Sequence, residues 1–175
     1  MAAYLYQDNL ESRRLLTRFL TTADILAWSL FFNDKEAAEF LPTPGFTSNP
    51  EKAEHWIQRQ LNRYRENSFG LQALISKETH EFVGQCGLLK QEVDAQIEIE
   101  VGYHVFKKHW GQGYAPEAAK LFIEYAFINN LADSVISIID IRNIKSQIVA
   151  EKNGLRREKQ TQWSNSNVFI YRINK

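Results

Sequence analysis

Cysteine is nearly absent: Cys86 is the only one in 175 residues, so neither an intramolecular disulfide nor a multi-cysteine zinc site can form. That suits a reducing compartment, so a cytoplasmic location is expected, with no metal. An excess of charge is absent too. Lys plus Arg number 21 and Asp plus Glu number 21, which removes the electrostatic case for a nucleic-acid partner of the whole chain while leaving local basic patches open. No apolar run is long enough to cross a bilayer, and the opening MAAYLYQDNLESRR lacks the basic-then-apolar layout of a signal peptide, so no membrane partner is expected. Repeats and linkers are missing, and residues 1–175 have the length of one domain. The GK[ST] of a P-loop is also absent, which disfavours a nucleotide-phosphate module.

What is present is concentrated in Gln96 to Tyr125, QIEIEVGYHVFKKHWGQGYAPEAAKLFIEY. From Gln96 to Phe106 the residues alternate, with Ile97, Ile99, Val101, Tyr103 and Val105 on one face and Gln96, Glu98, Glu100, Gly102 and His104 on the other. This predicts a strand with an acidic side. The loop Lys108-His109-Trp110-Gly111-Gln112-Gly113 then enters a helix, Pro116 to Asn129, whose first turn accommodates Pro116 and Glu117. Two glycines before a helix start make an anion seat, because the backbone can approach a ligand and the unpaired N–H groups point at it.

The rest alternates between the same two periods. Arg13 to Phe19 reads as a short strand, and Thr21 to Asp24 offers caps for a helix through Trp28 and Phe31. Phe40 to Thr47, with Pro42, Pro44 and Gly45, is loop; Ser48-Asn49-Pro50-Glu51 opens a second helix, with Ala53, Trp56, Ile57, Leu61 and Tyr64 as one buried stripe and Arg59, Arg63 and Arg65 opposite. Phe69 to Ile75 and Phe82 to Leu89 form a hairpin, and Gln91 to Asp94 turns into the acidic strand. Val135 to Ile141 is a strand buried on both faces, returning parallel after a helical crossover. A helix from Asn143 to Asn153, closed by Gly154, and a hairpin of Thr161–Trp163 with Val168–Ile173 finish the chain.

This order resembles the GNAT N-acetyltransferase superfamily over nearly the whole chain. The segment Lys108 to Ala115 is similar to that family's acyl-CoA pyrophosphate loop, with Lys108 in place of the usual Gln or Arg. Glu117-Ala118, Asn143-Ile144-Lys145-Ser146, Glu151 to Leu155, RRLLTRF and AEHWI fit its RimJ/RimL branch, whose members acetylate protein N-termini or small amines. The resemblance implies an α/β fold with a mixed, mostly antiparallel twisted sheet, a central parallel pair splayed into a V, and helices on both faces. It implies acetyl-CoA as co-substrate, its pantetheine arm paired with backbone near Tyr103, His104, Val105 and Phe106. By the same resemblance Lys108, His109, Trp110, Gly111, Gln112, Gly113, Tyr114, Ala115 and Lys152 belong to the cofactor side, Asn143 bonds the pantetheine and Ser146 lies near the sulfur. Phe31 and Phe32 would help to wall the acceptor site.

Proton transfer is the less marked half. Acetylating an alkyl amine needs a base, since the amine is mostly protonated at neutral pH. Glu100 and Glu98, about 7 Å apart on one strand face, are the candidates near the amine, with Glu100 as base; a solvated strand face is the competing reading, preferred for Glu98. His104 is either a base or a hydrogen-bonded structural residue. A tyrosine acid is common seven residues after the Asn, but Ala150 stands there, which leaves Ser146, or water, to protonate the thiolate. Asn143 reads equally as an N-cap, Cys86 as a buried thiol rather than an acyl carrier, and Trp28, Phe31, Phe32 and Trp56 as core. The expected partners are acetyl-CoA and an amine acceptor, with a monomer or homodimer both open. An acyl-CoA-binding sensor without turnover is the alternative.

Overall fold

The computed structural model describes residues 4–41 and 43–175; the first three residues of the N-terminal stretch and Pro42 of the expected loop lie outside them. Seven strands form one mixed sheet: β1 (Leu15–Arg18), β2 (Phe69–Ser76), β3 (Phe82–Val93), β4 (Gln96–Val105), β5 (Ser134–Asp140), β6 (Arg156–Trp163) and β7 (Ser166–Asn174), in the order β1-β2-β3-β4-β5-β7-β6. Every neighbouring pair is antiparallel except β4 and β5. The helices are α1 (Ile25–Ser29), α2 (Lys35–Ala38), α3 (Asn49–Arg65), α4 (Tyr114–Ile128) and α5 (Ile144–Lys152).

Local chemistry sets these boundaries. At α3 the capping box forms as expected, with Ser48 Oγ accepting from Glu51 N at 3.3 Å and Glu51 Oε2 accepting from Ser48 N at 3.2 Å. Helix α4 begins two residues before Pro116, because Gly113 adopts φ +81° and serves as the N-cap. Strand β3 runs to Val93, past the expected end at Leu89; the hairpin turns on Asp94 and Ala95 alone, at φ 48° and 62°. The last hairpin is longer than expected for the same reason, turning on Ser164 and Asn165 at φ 48° and 64°.

Two apolar layers sandwich the sheet. On one face Val101 and Val135 meet Ala118, Phe122 and Ala126 of α4 and Ala150 of α5. On the other, Leu71, Ala73 and Leu89 meet Trp28, Phe31 and Ile57 of α1, the turn after it, and α3. The acidic side of β4 is therefore roofed rather than solvated, and Glu100 is buried. Ile97, expected on the packed face, is exposed because the β3–β4 hairpin overhangs the core.

Phe122, fully buried under the sheet, ties α4 to β4. Phe122→Ala is expected to lower stability by about 3–5 kcal/mol, read as the shift in the urea midpoint; a loss under about 1 kcal/mol would show that the α4 layer is not part of the core.

Candidate active site

The site begins where β4 and β5 part. Their only bridged pair is Glu100 with Ile136. One residue further, a side chain replaces the ladder: Ser137 Oγ donates to Val101 O at 3.0 Å. Next, Ile138 N–H points to Glu100 Oε1 at 3.4 Å. Beyond that the strands diverge, and a cavity of about 920 Å³ fills the opening.

The register of β3 decides what β4 offers to that opening. Phe106 N–H bonds Val83 O at 3.1 Å, so by strand alternation the backbone groups of Tyr103 and Val105 face the V instead. Val105 O accepts from Trp110 Nε1 at 2.8 Å. The N–H groups of both residues and the carbonyl of Tyr103 remain as an open sheet edge able to pair an extended ligand. Across the V, Asn143 caps α5 by accepting from Ser146 N at 3.1 Å, leaving its Nδ2 uncommitted among the described residues. Tyr103 spans the gap, donating its hydroxyl to Ser146 O at 2.8 Å, and burial raises its pKa well above the usual range.

At the wide end the chain makes a short 3-10 turn, Lys107–His109, then Gly111 and Gly113 at φ +75° and +81°. Pro116 supplies no N–H, and Glu117 N already bonds Gly113 O at 3.2 Å. The N–H groups from Gly111 to Ala115 take no backbone partner among the described residues and form an anion cradle. The cradle is clamped from outside: Arg14 Nε meets Glu117 Oε2 at 2.7 Å, Arg14 NH1 donates to Gln112 O at 2.8 Å, and the guanidinium lies 4.6 Å from the Tyr114 ring centroid.

At the apex Glu100 accepts from Gln91 Nε2 at 2.7 Å, and burial, partly offset by these hydrogen bonds and by the Arg63 charge, holds its carboxyl above the ordinary range. His104, on the same face of β4, packs edge-on to Trp56 at 5.3 Å. Burial lowers its pKa to about 4, so it is a neutral imidazole near pH 7. A buried carboxylate, a neutral imidazole, an open strand edge and an anion cradle thus line one cavity.

Residues 6–156 match the profile of the Acetyltransferase (GNAT) domain family. The chain belongs to the GNAT acetyltransferase family. It is 31% identical over 146 residues to the uncharacterized protein YkkB of Bacillus subtilis, 82% of each chain being covered. Among solved structures, an acetyltransferase from Agrobacterium tumefaciens superposes with a TM-score of 0.81 at 24% identity, covering 100% of this chain and 99% of that one. Mycobacterium smegmatis RimJ, solved in complex with CoA-disulfide, superposes with a TM-score of 0.74 at 17% identity, covering 91% and 81%. As a member of that family the chain is a transferase.

Fourteen of the residues singled out by sequence line the cavity, including Glu100, Ser146, Tyr103, Gly111, Gly113, Asn143 and Phe31. Four do not. Lys108 turns away to Glu81 at 2.7 Å, Gln112 donates its side chain to Lys108 O at 3.2 Å, and Phe32 is packed in the α1–α3 core. Glu98 is held by Arg172 NH2 at 2.7 Å, its carboxyl lowered chiefly by that bond. Phe106 lends the opening no backbone N–H. Ala150 is buried in the apolar cluster it shares with α4 and does not line the cavity. Gln91, Ser137 and Arg142 line it without a sequence signal of their own. Among the described residues, no three His, Cys, Asp or Glu side chains gather as a metal site, and no helix is long and apolar enough to cross a membrane.

Because its folded pKa is raised, Glu100 favours the native state below its unfolded pKa, and that contribution is lost as pH rises through the folded value. Carbon-13 NMR of the Glu100 carboxyl should show a midpoint above 4.5; a midpoint at or below it would contradict the burial account.

Proposed function

We propose that this chain transfers the acetyl group of acetyl-CoA to a primary amine, a protein N-terminus or a small molecule, by direct attack in a ternary complex, with residues 1–175 working as a single domain. The observation that carries the reading is the joining, in one cavity, of an open β4 edge, an anion cradle at α4 and a buried carboxylate at the apex. Mycobacterium smegmatis RimJ, which shares the fold, was solved in complex with CoA-disulfide, and the groups present here fit coenzyme A. Tyr103 and Val105 would pair the pantetheine amides, Asn143 Nδ2 would add a donor, and Gly111 to Ala115 would hold the pyrophosphate. His109, Trp110 and Lys152 shape the cradle end of the cavity. A cytoplasmic setting fits a chain whose single thiol is buried and unpaired.

When bound, acetyl-CoA supplies a thioester carbonyl activated towards an amine. Val105 N–H is the donor available to polarise that carbonyl and stabilise the charge that develops on its oxygen. Glu100 takes the proton the amine must lose, directly or through water, and its raised pKa makes it a stronger base than a solvated glutamate. Neutral His104 lies on the same face of β4, packed edge-on to Trp56. Ser146 is the hydroxyl available to protonate the departing thiolate, its carbonyl being fixed by Tyr103. Since Glu100 acts ionised, kcat/KM should rise with pH through its raised pKa and level off above it.

A thiol-release assay over peptide N-termini, amino acids and polyamines tests this reading. Glu100→Gln should cut kcat by about 10²- to 10⁴-fold while acetyl-CoA binding, measured by calorimetry, persists. Gly113→Val, placing a branched residue at φ +81°, should weaken that binding about tenfold or more. Binding without turnover of any amine would make the protein a sensor; no binding of acetyl-CoA would sink the reading.

A further inference from the structure

Much of the charge around the cavity is paired off, although Glu39, Glu100 and Lys152 line it with no ion pair among the described residues. Glu36 of α2 is shared by Lys107 at 2.8 Å and by Lys145 of α5, and Asp140 holds Arg142 at 2.9 Å. On α3, Trp56, Arg59 and Arg63 line the cavity from one face, and neither arginine has a carboxylate within ion-pair distance among the described residues.

Arg63 is half-buried and held in place. Its NH1 donates to Gln60 Oε1 at 3.2 Å, and that oxygen, on a fully buried side chain, also accepts from Leu71 N at 2.9 Å. Arg59 lies 5.9 Å from the Trp56 ring centroid. Burial first, then the Arg59 charge, disfavours the Arg63 cation, although a guanidinium stays protonated in any protein. Arg59 is exposed and Arg63 half-buried, with the Glu100 charge acting on Arg63 but forming no ion pair, so both guanidinium forks remain open to an oxyanion, their geometry suited to carboxylate or phosphate. Favourable placement of basic side chains at a helix C-terminus accounts in part for Arg63 and for Arg65, both in the last turn, the latter bonded to Leu61 O at 3.4 Å. It does not account for Arg59, nearly two turns earlier.

We propose that Arg59 and Arg63 select an acceptor amine that also carries a carboxylate or phosphate, ahead of neutral or polycationic amines. The proposal rests on the acetyl-transfer reading and narrows its acceptor. The amine end goes to Glu100, the one carboxylate at the apex, and the anionic end goes to α3. A polyamine would bring further positive charge against the two arginines.

Initial rates with matched pairs test it: β-alanine against β-alaninamide, phosphoethanolamine against ethanolamine, and tripeptide amides with glutamate or glutamine second, with spermidine as the polycation. In at least one pair the anionic member should have a kcat/KM about tenfold or more above its neutral twin, and rising ionic strength should erode that advantage. Arg59→Gln/Arg63→Gln should bring the ratio to near one, and Arg63→Lys should keep part of it. Ratios near one in every pair, or spermidine as the best acceptor, would overturn the inference and leave acetyl transfer standing. If no amine turns over, acetyl transfer itself fails, and calorimetry of the CoA-loaded protein with β-alanine and β-alaninamide still decides. Tighter binding of the anion upholds the role of the arginines, and equal binding overturns it.

Discussion

Everything at this site depends on two parallel strands that pair at one point and then part. A regular ladder between β4 and β5 would satisfy the backbone of both and leave no cavity. Instead the contact ends at Glu100 and Ile136, and side chains take over the work of the ladder: Ser137 on Val101 O, Glu100 on Ile138 N, and Tyr103 on Ser146 O. Each of these holds the strands near one another without closing the gap. The antiparallel partners β3 and β7 keep the outer edges fully paired, so the sheet tolerates an unpaired seam in its middle. That seam has a cost, since buried backbone polar groups need partners, and an extended ligand meets the need.

The apex shows why Glu100 differs from its neighbour two residues earlier. Both sit on the same face of β4, but Glu98 lies where the hairpin overhangs and Arg172 reaches it, so its charge is compensated. Glu100 lies under the α3 layer, with an amide on each oxygen and a guanidinium nearby but no ion pair. Desolvation outweighs those partners, and the carboxyl holds its proton more tightly. The same layer makes His104 neutral by the same physics acting on a base. One roof of aromatic and aliphatic side chains therefore sets both groups.

Much of this was legible in the sequence where the signal is local. Alternation in β4, the capping box at Ser48, the glycines at the start of α4 and the N-cap reading of Asn143 all depend on residues within a turn of one another, and the structure carries each of these local features. The sequence is silent where neighbours in space are distant in the chain or where no local signal marks the element. Strand β6, RREKQTQW, is an exposed edge with no apolar alternation, so its first half is silent. The turn of Asp94 and Ala95 has one usual turn residue, Asp94, but lacks the glycine that commonly marks its second positive φ. The partners that divert Glu98 and Lys108 are 74 and 27 residues away. The sequence pattern sets the arginines of α3 opposite its buried stripe, and only the fold brings Arg59 and Arg63 against a cavity.

The account stands on the open edge of β4 being the part of the sheet that a ligand completes. Amide hydrogen exchange with and without acetyl-CoA tests this directly. Protection should rise at Tyr103 and Val105 and from Gly111 to Ala115, while Phe106, already bonded to Val83, changes little. If acetyl-CoA binds and leaves Tyr103 and Val105 as exchangeable as before, the V is not its seat and the account is wrong.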